Sequence, residues 1–129
     1  MFALDLSGKT ALVLGVANQR SIGWAIAQIL SQAGARLVLT YQNERLKSRI
    51  TTLVKDLPNA SMIECDVSSD TSITSAFEQI RSIFGKIDIL VHSIAYAQRE
   101  DLGGAFSDIN RNGFKIALDI SAYSLIPLV

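Results

Sequence analysis

Short apolar runs alternate with amphipathic segments along most of the chain. The runs are rich in aliphatic and branched residues, which is typical of strands buried on both faces of a parallel sheet. The predicted strands cover residues 9–15, 36–41, 61–67 and 87–93. Apolar residues at helical spacing predict helices over residues 21–33, 46–57 and 73–84. Gly34, Pro58 and Gly85 follow these segments, where residues that end helices are expected.

Four strands that alternate with helices indicate right-handed crossovers and a Rossmann-type, doubly wound parallel sheet of the α/β class. An exposed loop over 95–104 follows the fourth strand, and a further helical stripe covers 109–120. Such sheets usually have five or more strands, and this chain ends in the apolar run 124–129 without a helix-stop signal. We therefore expect residues 1–129 to form a single domain that is truncated at its C-terminus.

Composition excludes several classes of protein. The 129 residues are 49% hydrophobic and 19% charged, which indicates a globular domain and excludes a disordered chain. Twelve basic residues balance twelve acidic ones, so nothing favours nucleic acid or an anionic membrane as a partner. The single cysteine, Cys65, lies in a predicted strand and suggests packing, with neither a disulfide nor a metal site. The segment 1–9 lacks a leader pattern and no apolar stretch could span a bilayer, so we expect a cytoplasmic protein.

The turn after the first predicted strand has the position and the small residues of a phosphate-binding loop. Gly15 would allow a tight turn, and Ser21 and Ile22 open the next helix, whose first amides could face a pyrophosphate. The spacing differs from G-x-G-x-x-G, so a purely structural turn stays open as an alternative. The order of strand, turn and helix favours a dinucleotide site.

The ends of the second and third strands carry polar candidates for the adenosine part of such a site. Gln42 could bind ribose or adenine, and its neutral side chain favours NAD over NADP. Arg45 and Lys47 lie on the next helix and are more typical of solvated surface. Asp66 could accept a hydrogen bond from an adenine amino group or cap the following helix, and the two roles are compatible.

The fourth strand ends in small residues over 92–95, which would let a cofactor cross the sheet edge. His92 could be a general base, but a lone histidine in an apolar strand is more often packed and hydrogen-bonded. Ser121, Tyr123 and Ser124 could face the site or simply form helix surface. No set of nucleophile, base and orienting acid can be assembled from these residues.

Together these motifs resemble those of the enoyl-[acyl-carrier-protein] reductases, a divergent branch of the short-chain dehydrogenase/reductase superfamily. The motifs that carry the resemblance lie at residues 15–22, 40–46, 65–67, 91–95 and 119–124. The resemblance implies an oxidoreductase of fatty acid biosynthesis that uses NADH to reduce the trans-2 double bond of an acyl thioester. It also implies a substrate linked to acyl carrier protein and a homotetramer.

The resemblance also assigns site residues by position. The implied cofactor contacts are Gly15, Ser21, Ile22, Gln42, Asp66, Val67 and Ile94, and Ala97 would lie beside the substrate. Gly23 stands two places before the glycine of the family's usual Ser-Ile-Ala-x-Gly pattern. The family's catalytic tyrosine and lysine, separated by six residues, have no counterpart here, since Tyr96 is followed at that spacing by Gly103.

We therefore expect no catalytic residue in these 129 residues and no turnover by the chain alone. Two alternatives stay open. One is another NAD(P)-dependent short-chain reductase acting on a carbonyl, although such enzymes commonly have Asn-Asn-Ala-Gly where this chain has His92–Ala95. The other is a dinucleotide-binding module without catalysis.

Overall fold

The fold is built around a four-stranded parallel sheet with helices on both faces. A computed structural model describes residues 3–129. Met1 and Phe2 lie outside the described residues, although the predicted domain and the segment 1–9 begin with them. The strands are β1 (Thr10–Leu14), β2 (Arg36–Tyr41), β3 (Ala60–Glu64) and β4 (Ile89–His92). The helices are α1 (Ile22–Gln32), α2 (Glu44–Val54), α3 (Asp70–Phe84), α4 (Arg111–Leu118) and α5 (Leu125–Leu128). The strand order is β3-β2-β1-β4, all parallel, which confirms the predicted α/β, Rossmann-type class.

Burial on both faces explains the uninterrupted apolar run of β1. Ala11 and Val13 pack into a core layer with α1 and α2, whereas Leu12 and Leu14 pack into a second layer with α3 and α5. All five residues of the strand are buried. Since successive side chains of a strand point to opposite faces, a strand between two helical layers buries apolar residues on both faces, as Ala11–Leu14 do.

The helix ends follow local signals in the sequence. Asn43 accepts a hydrogen bond from the Leu46 amide and begins α2, and Gly34 has φ +93° just after α1. The predicted end of the second helix was wrong, because α2 ends at Val54 and not at residue 57. The Asp56 and Leu57 amides bond to carbonyls three residues earlier, so the chain tightens into turns before Pro58. Pro58 disfavours helical geometry at Leu57, so the α-helix does not continue through residue 57.

The third strand is also shorter than predicted. It ends at Glu64, and the Cys65 amide still donates to the Tyr41 carbonyl. The Asp66 amide instead donates to the Ser72 hydroxyl at 2.9 Å. The chain therefore leaves the sheet at Asp66, and Val67 lies beyond the strand.

Helical structure extends beyond the last predicted helix, 109–120, and has three parts. It begins at Arg111, where Asn110 accepts a hydrogen bond from the Gly113 amide at 2.8 Å. A π-helical turn over Asp119–Tyr123 follows α4 and leads into α5. The segment predicted as an exposed loop contains a short 3₁₀ turn over Arg99–Leu102. Among residues 3–129, no helix is both long and apolar enough to cross a membrane.

Candidate functional site

A cavity of about 790 Å³ runs along the carboxyl ends of the four strands. Residues that follow each strand line it, with further side chains from α2, α4 and the π-helical turn. Ligands of open parallel sheets bind at this edge, beside the point where the strand order reverses. In the order β3-β2-β1-β4 that point lies between β1 and β4. The volume is within the usual range for a small-molecule or cofactor site.

The turn after β1 requires a glycine at residue 15. Gly15 has φ +97°, a conformation that residues with a Cβ rarely adopt. A Cβ at this position would overlap the main-chain carbonyl of Ser93. The end of β1 therefore touches the segment after β4 at the point where the cavity crosses the sheet.

Ser21 shapes the same turn through its hydroxyl group. The Ser21 Oγ accepts hydrogen bonds from the amides of Ala17 at 2.9 Å and Asn18 at 3.1 Å. The helix α1 then begins at Ile22, and the first amides of a helix have no carbonyl partner within it. The Ile22 side chain is 75% exposed, so a role in the site would fall to its main chain.

Gln42 and Asp66 lie together at the β2 and β3 side of the cavity. Burial raises the pKa of the Asp66 carboxyl, but hydrogen bonds from Ser68 and from Gln42 lower it further, so the pKa lies below its ordinary value. The Ser68 hydroxyl and amide both donate to Asp66 Oδ1, at 2.6 and 2.9 Å. The N-terminal cap of α3 is Ser69, which leaves Asp66 as an ionised acceptor at the cavity.

His92 is held by a buried serine. Its Nε2 lies 2.8 Å from the Oγ of Ser124, and that hydroxyl donates to the Ile120 carbonyl at 2.7 Å. Since a hydroxyl has one proton, Ser124 accepts the bond from His92, and Nε2 carries hydrogen. This geometry supports the packed, hydrogen-bonded interpretation of His92. Burial likewise raises the pKa of the Cys65 thiol to about 11, which indicates an unreactive packed side chain.

The structure brings most of the predicted site residues to one cavity. Of the predicted cofactor residues, those that line it are Gly15, Gln42, Asp66, Val67 and Ile94. Ser21 and Ile22 are not among the lining residues, and neither is Ala97, although its neighbours Tyr96 and Gln98 are. No group of three or more potential metal ligands occurs in the part of the chain that the structure describes.

Sequence reasoning did not identify every residue that lines the cavity. Ile116 and Ile120 line it from α4 and the π-helical turn. The helical stripe signalled their burial, but not which cavity they would face. Arg45, expected only as solvated surface, is exposed and also lines the cavity.

Comparison with known proteins identifies related sequences. The family model described as enoyl-(acyl carrier protein) reductase matches residues 15–129. The enoyl-[acyl-carrier-protein] reductase [NADH] FabI of Enterococcus faecalis is 50% identical over 121 residues, 94% of this chain and 48% of the relative. The Staphylococcus aureus (strain NCTC 8325 / PS 47) enoyl-[acyl-carrier-protein] reductase [NADPH] FabI is 46% identical over 124 residues, 95% of this chain and 48% of the relative.

A solved structure supports the same assignment. The Bacillus cereus enoyl-acyl carrier protein reductase, crystallised with NADP⁺ and indole naphthyridinone, superposes with a TM-score of 0.91 at 45% identity. That match covers 97% of this chain and 49% of the crystallised one. The chain spans about half the length of the curated relatives it matches. On the matched family model and these identities, the chain belongs to the enoyl-(acyl carrier protein) reductase family.

Proposed function

We propose that this chain forms the dinucleotide-binding part of an NADH-dependent enoyl-[acyl-carrier-protein] reductase of fatty acid biosynthesis. The observation that carries the proposal is the cavity along all four strand ends in a chain of this family. The strand order puts Gln42 and Asp66 on one side of the Gly15 turn and Ile94 on the other. A dinucleotide laid across the edge would have adenosine at the first side, pyrophosphate at the turn and nicotinamide toward β4.

The residues of this chain would bind and orient the cofactor. Asp66 is an ionised acceptor suited to the adenine amino group, and Gln42 offers both an amide donor and an acceptor beside it. The turn fixed by the Ser21 hydroxyl presents the first amides of α1, a favourable environment for a pyrophosphate. When bound, NADH supplies the hydride for the reduction.

The segment after β4 would receive the substrate. Val67 gives the cavity an apolar wall at the adenosine end, and Ile94 gives it one near β4, where it would exclude water from a nicotinamide ring. Ala97 would lie beside the enoyl thioester delivered by acyl carrier protein. We assign no catalytic residue to this chain, because none of its tyrosines is followed by a lysine at the family's spacing.

The side chains at the adenosine end favour NADH over NADPH. Gln42 is neutral, and the Lys47 ammonium lies 3.1 Å from the Glu44 carboxylate, which offsets its charge. Arg45 is the cation at this end that also lines the cavity. Titration of the protein with both nucleotides should give the lower Kd for NADH, and Arg45→Ala should weaken NADPH more than NADH. Tighter binding of NADPH would refute the assignment.

Enzyme assays on the complete gene product test the reaction. Mixed with a trans-2-enoyl thioester of acyl carrier protein, it should oxidise NADH and yield the saturated thioester, whereas residues 1–129 alone should not. Asp66→Asn should raise the Kd for NADH about tenfold, because a hydrogen bond to a charged group is lost. Asp56→Asn, at an exposed carboxylate beyond the end of α2, is the matched control. An Asp66 variant that binds NADH like the control would argue against the adenosine placement.

We also propose that the complete protein is a cytoplasmic homotetramer. Exposed apolar side chains support self-association: Phe114, Leu118 and Tyr123 on α4 and the π-helical turn are each about half exposed, at 54%, 49% and 52%. Sedimentation velocity should give a tetramer, and a monomer would contradict the proposal. Cell fractionation tests the location, since recovery with membranes would refute it.

A further inference from the structure

One serine hydroxyl binds both main-chain groups of a residue at the far end of the cavity. The Ser121 Oγ accepts from the Tyr96 amide at 2.9 Å and donates to the Tyr96 carbonyl at 3.0 Å. A hydroxyl has one proton and two lone pairs, so it can make both bonds at once. Ser121 and Tyr96 are 25 residues apart, and the pair therefore ties the π-helical turn to the segment after β4.

The geometry of the π-helical turn is coupled to this contact. The Ser124 amide bonds to the Asp119 carbonyl, five residues earlier, which widens the helix by one residue. Ser121 and Ser124 then both face the β4 side, with Ser124 on His92 and Ser121 on Tyr96. Single π-helical turns within helices are frequent at functional sites.

Tyr96 lies where the sheet no longer holds the chain. Within the described residues, the last hydrogen bond between the β4 segment and β1 is donated by the Ser93 amide to the Leu14 carbonyl. Ala95 and Tyr96 line the cavity three strands away from Asp66, at the end proposed to receive the nicotinamide and the substrate. Ser121 thus makes the main-chain hydrogen bonds to Tyr96 that a neighbouring strand would make within the sheet.

We propose that Ser121 is a positioning residue for the enoyl-thioester substrate, because it holds residues 95–97 in the conformation that receives it. This inference rests on the proposed reductase function. Loss of the hydroxyl would free both main-chain groups of Tyr96, which are exposed and would be hydrated. The fold would therefore survive, while the segment would have to be ordered again each time substrate binds. The dinucleotide is held chiefly at the Gly15 turn and the Gln42 end, so its affinity would change little.

Steady-state kinetics of the complete gene product test whether Ser121 affects the substrate more than the dinucleotide. Ser121→Ala should raise the KM for a trans-2-enoyl thioester about tenfold, with a smaller effect on kcat and an NADH Kd within about twofold of the unsubstituted protein. Ser121→Thr keeps a hydroxyl and should restore the KM to within about threefold. Ser82→Ala is the matched control, since the structure gives this exposed helical hydroxyl no hydrogen bond within residues 3–129.

A KM for Ser121→Ala within about twofold of the control would overturn the inference, as would an NADH Kd that rises as much as the KM. Hydrogen exchange of the Tyr96 amide distinguishes a failure of this inference from a failure of the proposed function. In Ser121→Ala the exchange should be about tenfold faster while amides of β1 and β2 keep their rates. If the unsubstituted protein reduces no enoyl thioester, the substrate role of Ser121 fails together with the proposed function. If the exchange rate of the Tyr96 amide is unchanged in Ser121→Ala, the proposal that Ser121 holds this segment is overturned as well.

Discussion

Substitution of Gly15 by alanine tests whether the turn after β1 is built against the segment after β4. The added Cβ would overlap the carbonyl group of Ser93 and lie 3.1 Å from the Ile94 amide nitrogen. These are main-chain atoms, so no side chain can rotate to make room. Either the turn moves or the two strand ends separate.

The expected cost has two parts that can be measured separately. A non-glycine residue at a φ of +97° costs about 1–2 kcal/mol. Relief of the overlap by backbone shifts adds about 1–3 kcal/mol, as overpacking does elsewhere. Gly85→Ala is the matched control, because Gly85 has φ +79° but nothing within 4 Å of the added Cβ. The difference between the two variants, about 1–3 kcal/mol, isolates the contact between strand ends.

Thermal unfolding and NADH titration measure both consequences. The melting temperature of Gly15→Ala should lie roughly 3–15 °C below that of Gly85→Ala. Its affinity for NADH should also fall, since the displaced Ser93 and Ile94 line the cavity. Equal melting temperatures for the two variants would refute the argument from overlap. Lower stability with unchanged NADH affinity would show that the turn is structural and leaves the binding edge intact.

Three further predictions concern titratable or buried groups. The Thr10 amide and Lys86 hold the pKa of Asp88 below its ordinary value, so this stabilisation is present above about pH 4 and is lost as pH falls through the lowered pKa. Asp88→Asn should therefore lower the melting temperature at pH 7, with a difference that narrows below about pH 4. Ser124→Ala leaves His92 Nε2 without its acceptor in a buried site, and should cost about 1–3 kcal/mol in urea unfolding; no measurable loss would contradict that bond. Because the pKa of Cys65 is raised to about 11, its thiol should react with a disulfide reagent at pH 8 about a hundredfold slower in the folded than in the unfolded protein.

The sheet could be predicted because each of its signals is local. The apolar run of β1 follows from burial on both faces, and Gly34 and Gly85 follow from the left-handed conformations that end α1 and α3. The predicted end of a strand was less accurate where a side chain, and not a neighbouring strand, accepts the main-chain hydrogen bond. Ser72 takes the Asp66 amide and ends β3 early, and nothing in the sequence around residue 66 identifies that partner.

The positions of candidate site residues could be predicted where these residues directly follow a strand. Gln42 and Asp66 stand just past β2 and β3, so the parallel order alone brings them to one edge. Ile116 and Ile120 could not be placed, because the face that α4 presents depends on how the chain returns over the sheet. The contact between Ser121 and Tyr96 joins residues 25 apart and depends on the π-helical turn, which no periodicity in the sequence indicates.

The segment after β4 is held from two directions, and this determines how the cavity can respond to a ligand. Gly15 packs against the Ser93 carbonyl from the β1 side, and Ser121 binds Tyr96 from the helical side. The first contact is steric, between half-buried main-chain atoms, so it resists displacement, whereas the second consists of two exposed hydrogen bonds whose net contribution is small. Movement of the segment should therefore begin at Tyr96 and stop at Ser93. This difference would suit the proposed reductase, because the edge at the Gly15 turn would stay ordered around a dinucleotide while the less stable segment at Tyr96 adjusts as acyl chains enter and leave.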